Sequence, residues 1–191
     1  MDDNFGVQAN NGGRGAKVIT MSNLSVTLFA MATLFLGFFL FFYAWKIFWN
    51  MSIPKDFIKQ IYLQMIVFVI LSVPIHELIH ALGFRFLGNI PWSKIKFGFV
   101  AKMLAPYAHP TVPINKTAYA WAGALPGLVL GVIPLIAGLI IHSMLLSFLG
   151  MIAMGMAGGD VFTLWKLRSA PKDSDILENQ EQDGFTIIEK S

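Results

Sequence analysis

The chain has 191 residues, of which 55% are hydrophobic and only 13% are charged, and it contains no cysteine. This composition is too apolar for a soluble domain of this size and is typical of a protein that crosses a membrane several times. The lack of cysteine excludes disulfides and cysteine–zinc sites, so any bound metal must use His, Asp, Glu or water. The net charge of +3 is small, and Lys and Arg flank apolar segments, which argues against a nucleic-acid-binding surface.

The hydropathy pattern divides the chain into a polar N-terminal part, four apolar segments and a polar C-terminal part. Residues 1–22 are polar and rich in Gly and Asn, which predicts a disordered cytosolic tail. Residues 23–167 form the predicted four-helix membrane domain, because each apolar segment is long enough to span a bilayer. Residues 168–191 form a cytosolic C-terminal tail. The four predicted spans are residues 24–49, 61–87, 117–141 and 143–167.

The second predicted span carries the pattern His-Glu-x-x-His, formed by His76, Glu77 and His80. Helical residues four apart share a face, so both imidazoles can bind one metal ion while Glu77 reaches a water molecule on that metal. Zinc peptidases use this spacing, which places two ligands and a general base on one helical turn. Two histidines so spaced could instead bind haem or be buried and hydrogen-bonded, although ionisable groups within a span are usually functional.

An open catalytic zinc site needs a third protein ligand besides the two histidines. Apart from Glu77, Asp160 is the only acidic residue within a predicted span. Both residues lie a few positions past the midpoints of spans that cross in the same direction, so their depths in the membrane agree. Asp160 is therefore the expected third ligand, and an ion pair with Arg85 or Lys166 is the alternative.

Small residues in the third and fourth spans predict close helix contacts. Gly127 and Gly131 have the spacing of a helix-packing motif. Gly155, Gly158 and Gly159 give the fourth span a bare face, and we expect this face to approach the helix that carries the His-Glu-x-x-His pattern.

The connection between the second and third spans, residues 88–116, is not purely polar. Residues 94–99 alternate polar and apolar side chains, which predicts a strand, and prolines interrupt residues 105–110. We expect a β-hairpin or re-entrant element near the site that holds an extended peptide through main-chain hydrogen bonds, whereas a plain interfacial loop is the alternative. His109 is either an oxyanion-stabilising residue or an ordinary loop histidine.

The distribution of Lys and Arg predicts the orientation of the chain in the membrane. These residues are concentrated in the N-terminal part, the 88–116 connection and the C-terminal part. The positive-inside rule therefore places both termini and this connection in the cytoplasm. Within the C-terminal part, Asp183-Gly184 precedes strand-forming residues, which predicts a small hairpin.

Residues 76–83, followed far downstream by Gly158-Gly159-Asp160, resemble the bacterial family of small membrane proteins described as putative zincin peptidases. That family is similar to the site-2 intramembrane metalloproteases, and the resemblance covers roughly residues 60–190. It implies a zinc ion bound by the two motif histidines and the aspartate, with the glutamate as catalytic base. Site-2 proteases usually follow their aspartate with glycine, whereas Val161 occupies that position here.

The sequence thus predicts an all-α membrane protein with four transmembrane helices and a short re-entrant or β-hairpin element between helices 2 and 3. The expected function is zinc-dependent (Zn2+) intramembrane proteolysis, in which a metalloendopeptidase of the bacterial cell membrane cleaves transmembrane or juxtamembrane segments of membrane proteins. The alternative is a non-enzymatic membrane protein that binds haem or acts as a scaffold through the His76/His80 helix.

Overall fold

The structure of the protein is a computed structural model that describes residues 16–50, 54–100, 105–179 and 184–189. Helices form most of this part of the chain. Helix α1 is Asn23–Trp49 and α2 is Phe57–Phe86; α3 (Lys116–Pro126), a π-helical segment (Gly127–Val132) and α4 (Ile133–Ile140) follow one another without a break; α5 is Met144–Met156 and α6 is Gly158–Leu167.

Three helical segments are long and apolar enough to cross a membrane, which indicates a membrane protein. They are α1, α2 and the continuous segment Lys116–Ile140. Helices α5 and α6 form a fourth candidate span if the pair is counted as one, with a bend of 48° between them. Large apolar side chains such as Phe35 and Phe39 are about two-thirds exposed on α1, as expected for a surface that lipid covers.

Gly155 of α5 and Gly158 and Gly159 of α6 face α1. A Cβ atom at Gly158 would lie 2.6 Å from the Cα atom of Ala30, and one at Gly155 would meet the side chain of Leu34. The expectation that this bare face approaches the motif helix α2 was therefore wrong, because α1 occupies the space beside it. Gly131 does mediate a close helix contact, since a Cβ there would lie 2.6 Å from Cγ of Met154.

The connection between α2 and α3 contains the predicted β-hairpin. After a short 3-10 turn (Trp92–Lys94), β2 (Ile95–Val100) pairs antiparallel with β3 (Ala105–Pro110). One residue pair beyond the hairpin, the N–H of Thr111 donates to the carbonyl of Lys94. This bond shows which residue pairs of the ladder are hydrogen-bonded and which are not. The N–H and C=O groups of Ala108 therefore point away from β2. Pro106 and Pro110 share that orientation, so their missing N–H groups remove no ladder bond.

A second, four-stranded sheet joins the two ends of the chain, which the prediction of an all-α protein did not include. Its strands are β1 (Ala16–Thr20), β4 (Ile114–Asn115), β5 (Asp175–Glu178) and β6 (Gly184–Ile188), in the order β1-β6-β5-β4 with antiparallel neighbours. The hairpin predicted near Asp183-Gly184 corresponds to β5 and β6, although Asp183 itself lies outside the described residues.

The sheet corrects two of the predicted boundaries. Residues 16–20 are not a disordered tail, because they pair with β6 along their whole length; residues 1–15 lie outside the described part. The segment after residue 167 is not a separate tail either. Ile176 and Phe185 are fully buried in the same apolar cluster as Ala81 of α2. The C-terminal strands therefore share a core with the helix that carries the His-Glu-x-x-His pattern.

Candidate metal centre

Helix α2 presents His76 and His80 on one face, one helical turn apart. The Nδ1 atom of His80 lies 3.0 Å from the main-chain oxygen of Ala122 on α3. A carbonyl oxygen can only accept, so Nδ1 carries the proton and donates it. The Nε2 atom of His80 is then a bare lone pair directed at the site, which is the form that binds a metal.

Asp160 reaches the two histidines from the first turn of α6. Its Oδ2 atom lies 2.9 Å from Nε2 of His76, and its Oδ1 atom lies 3.3 Å from Nε2 of His80. The bend between α5 and α6 places the carboxylate at a helix N-terminus, where the helix dipole favours a negative charge. Of the alternative partners, Arg85 lies over the ring of Phe86 and Lys166 over the rings of two aromatic residues of α6.

The donor atoms of His76, His80 and Asp160 fit a zinc ion. All three lie within 4.8 Å of one another, and the two Nε2 atoms are 3.1 Å apart. Ligand atoms about 2.0–2.1 Å from a tetrahedral zinc are separated by about 3.4 Å, so small side-chain adjustments suffice. The geometry argues against haem, because both imidazoles converge on one point instead of facing each other across a porphyrin plane.

Glu77 lies next to this cluster and is held by the hairpin. Its Oε2 atom accepts a hydrogen bond of 2.8 Å from the N–H of Ala108. This is the N–H group that points away from β2, so β3 offers it to α2 without losing a ladder bond. The carboxylate of Glu77 also interacts electrostatically with His76, His80 and Asp160. The glutamate, the two histidines and the aspartate thus form one group.

A cavity of about 190 Å³ adjoins the group, and its walls come from five elements of the fold. Helix α2 contributes Glu77 and His80, α3 contributes Tyr119, α6 contributes Asp160, and β3 and β5 close the remaining sides. The site is therefore a pocket beside the helices and is open to a ligand larger than water.

His109 is not among the described residues that line this cavity. Its ring stacks on that of Tyr107, with centroids 4.7 Å apart. Burial lowers the pKa of His109, and the charge of Lys96 lowers it further. The neighbouring residues of β3, from Pro106 to Ala108, do line the cavity, so the hairpin reaches the site through its backbone.

Three contributions to the site were not predicted from the sequence. Gly83 follows His76 by seven residues and shares its helix face, a spacing that marks a close approach by another helix. Ala122 contributes only its carbonyl, for which no sequence signal exists. Glu178, on β5, lines the cavity although it belongs to the segment predicted as a tail. Burial raises the pKa of its carboxyl to about 8; His80 opposes this shift, while Asp160 and Glu77 add to it.

These features define a helical membrane protein with a candidate metal centre of two histidines and one aspartate. The chain belongs to the family described as putative zincin peptidase, whose model matches residues 69–174. The matched region contains the motif helix from residue 69 onward, the hairpin, α3 to α6 and Asp160. No curated protein and no solved structure matches the chain. Membership in this family implies a metallopeptidase that uses zinc.

Proposed function

We propose that the protein is a zinc-dependent intramembrane protease that cleaves peptide bonds in or near transmembrane segments of other membrane proteins. The observation that carries this proposal is the convergence of His76, His80 and Asp160 beside Glu77. Two of the contributing helix segments, α2 and Lys116–Ile140, are of membrane-spanning length, and the family is one of peptidases. In this proposal the three donors hold zinc and Glu77 is the catalytic base.

The residues around the metal divide the chemistry among them. Zinc held by His76, His80 and Asp160 would supply a Lewis acid for the peptide carbonyl and would make a water molecule acidic enough to attack it near neutral pH. Glu77 accepts the proton of the attacking water and returns it to the leaving nitrogen. Because the N–H of Ala108 occupies Oε2, Oε1 is the oxygen that takes the proton. The Ala122 carbonyl keeps His80 in the ligand tautomer throughout.

The substrate in this proposal lies extended along β3. Pro106 and Ala108 line the cavity, and the alternation of the ladder directs their main-chain carbonyls away from β2. They can accept hydrogen bonds from an added peptide strand, which also keeps the scissile bond in an accessible, extended form. The positive-inside rule puts the hairpin and this edge on the cytoplasmic side of the membrane, so a cytoplasmic juxtamembrane segment has the shortest path to the metal.

The metal assignment is tested by measuring zinc per chain in detergent-purified protein by elemental analysis. We expect about one zinc in the wild type and in Glu77→Gln, and a loss of at least tenfold in metal affinity in His80→Ala and Asp160→Asn. His142→Ala is the matched control, because this exposed histidine lies in the turn after α4 and is not part of the group of candidate metal ligands. Zinc retained by Asp160→Asn, or absent from the wild type after metal-replete expression, would contradict the assignment.

The protease assignment needs a separate measurement in lipid vesicles. Wild-type protein is reconstituted with single-span peptides labelled at their juxtamembrane ends, and the products are identified by mass spectrometry. Glu77→Gln should retain zinc and lose cleavage by a factor of at least a hundred, since it cannot accept the proton. Glu189→Gln makes the same chemical change at an exposed position and should cleave normally. Cleavage retained by Glu77→Gln would sink the proposed mechanism.

A further inference from the structure

The cavity beside the metal centre is lined by acidic side chains without a basic one to balance them. Three carboxylates line it, those of Glu77, Asp160 and Glu178, and no Lys or Arg is found among the described residues of its walls. With zinc bound as proposed, its two positive charges are balanced by Asp160 and Glu77. The carboxylate of Glu178 is then in excess.

Glu178 is held in place by the sheet. It pairs with Phe185 in the β5–β6 ladder, and Phe185 is fully buried with its ring 6.3 Å from that of Tyr119. Strand β4 pairs only with Asp175 and Ile176. The last two residues of β5 therefore extend past the N-terminal end of β4 at Ile114, and the ladder with β6 holds Glu178 at the cavity wall.

The other two carboxylates of the cavity have a hydrogen-bond or ion-pair partner, and Glu178 has neither in the described part of the chain. Asp160 contacts both histidines, and Glu77 accepts from the N–H of Ala108. No hydrogen bond or ion pair of the Glu178 side chain occurs among residues 16–50, 54–100, 105–179 and 184–189. The raised pKa of Glu178 agrees with this arrangement, because a partly buried carboxylate without a cation is poorly stabilised when charged.

We propose that Glu178 is a specificity-determining residue that binds a cationic side chain of the substrate, Lys or Arg, close to the scissile bond. This inference rests on the proposed function and names its substrate class. Cytoplasmic ends of transmembrane segments are enriched in Lys and Arg. The substrate segments closest to the site therefore carry side chains of the charge that would pair with Glu178. A Lys or Arg that enters the cavity forms a charge-assisted hydrogen bond with Glu178.

The inference is tested first by binding, without any reaction. Glu77→Gln protein in detergent with a chelator is titrated into fluorescein-labelled single-span peptides, and anisotropy is measured. Each peptide carries one lysine at one of six successive juxtamembrane positions, and a matched peptide carries norleucine there. At one position the lysine peptide should bind on the order of tenfold more tightly. Adding Glu178→Gln should remove this preference, and adding Glu189→Gln should preserve it.

Charge reversal gives a result that loss of folding cannot imitate. In the Glu77→Gln background, Glu178→Lys should prefer a glutamate peptide over the lysine peptide at the same position. A protein with Glu178 intact that binds lysine and norleucine peptides equally at all six positions overturns the inference. So does a lysine preference that survives Glu178→Gln.

The cleavage assay separates failure of this inference from failure of the proposed function. With Glu77 intact, kcat/KM for the lysine peptide should exceed that for norleucine on the order of tenfold, and Glu178→Gln should equalise them. Cleavage of both peptides at equal rates overturns the role of Glu178 and leaves the protease standing. Absence of any cleavage contradicts the protease, while the anisotropy data still decide whether Glu178 binds a cation.

Discussion

The carbonyl of Ala122 accepts a hydrogen bond from Nδ1 of His80 across the contact between α3 and α2. Gly83 makes this bond possible, because a Cβ atom there would lie 2.7 Å from the Cα atom of Ala122. The two helices can therefore approach closely only while residue 83 lacks a side chain. Tautomer and orientation of a candidate metal ligand thus depend on a glycine that touches neither metal nor substrate.

Replacing Gly83 by alanine should weaken zinc binding. The new methyl group meets backbone that cannot yield locally, so α3 must move away and the bond from His80 to Ala122 lengthens. We expect a loss of about 1–3 kcal/mol in stability and roughly 10- to 100-fold in zinc affinity, measured by thermal unfolding and by competition with a chelator. Gly123→Ala is the control, since its Cβ would make only an ordinary contact of 3.5 Å with Leu164. Unchanged zinc affinity in Gly83→Ala would refute this role.

Replacing Ala108 by proline should remove the hydrogen bond between the hairpin and Glu77 and leave the hairpin itself intact. Ala108 has the same ladder orientation as Pro106 and Pro110, so a proline there removes no hydrogen bond between β2 and β3. It does remove the N–H group that donates a hydrogen bond to Oε2 of Glu77. We expect normal zinc content and a fall in kcat of roughly tenfold, in line with the loss of one hydrogen bond to a charged group.

His109→Pro is the informative contrast for this experiment. His109 pairs with Lys96 at a position where the ladder bonds are made, so proline there should disrupt the hairpin itself. Limited proteolysis would detect that change, and Ala108→Pro should resist it like the wild type. If Ala108→Pro cleaves substrate at the normal rate, the N–H of Ala108 does not serve to position the base.

Alanine at Gly158 should destabilise the packing of α6 on α1. A Cβ at this position would lie 2.6 Å from Cα of Ala30, whereas one at Gly159 would meet only Cγ1 of Val26 at 3.6 Å. We expect Gly158→Ala to lower the unfolding free energy by about 1–3 kcal/mol. Gly159→Ala should be neutral or slightly stabilising, because alanine favours the helix. Equal melting temperatures for the two variants would contradict the packing described here.

Hydropathy and the spacing of the motif were enough to predict the long helices and most of the residues that meet at the candidate site. The long apolar segments predicted the membrane-length helices, and the i to i+4 spacing predicted that His76 and His80 share a face. Asp160 was selected because a carboxylate within a span needs a strong partner, and the structure does bring it to the two histidines. The proximity of these side chains could be predicted because each inference rests on local periodicity or on the cost of burying charge, whereas their role as metal ligands stays a prediction.

The parts that the sequence did not predict depend on which surfaces meet. The glycine-rich face of α5 and α6 was assigned to α2, but glycines only permit close contact and do not name the partner. Strands β1 and β6 pair residues from opposite ends of the chain, and no local pattern encodes such a pairing. Glu178 was overlooked for the same reason, because only the sheet brings this residue of a polar segment to the cavity.

Glu178 should make the stability of the metal-free protein depend on pH. Its pKa rises from the ordinary value of 4.5 to about 8 in the folded protein, chiefly through burial. The folded state therefore binds this proton more tightly than the unfolded state, so the unfolding free energy falls as the pH increases from about 4.5 to about 8 and then levels off. Glu178→Gln removes the proton and with it this decline.

The measurement is a thermal unfolding series in detergent with a chelator, between pH 5 and pH 9. The unfolding free energy of Glu178→Gln minus that of the wild type should increase by about 2–3 kcal/mol between pH 5 and pH 9. This magnitude assumes about 1.4 kcal/mol per pKa unit, reduced for partial solvation of the group. The facing groups on α2, α3 and α6, namely Glu77, His80, Tyr119 and Asp160, are present in both proteins, so the difference reports Glu178 together with its electrostatic interactions with them. Glu189→Gln should follow the wild type at every pH. A stability difference that does not change with pH would show that Glu178 is solvated like an ordinary surface carboxylate, and its role as the unpaired charge of the cavity would be lost with it.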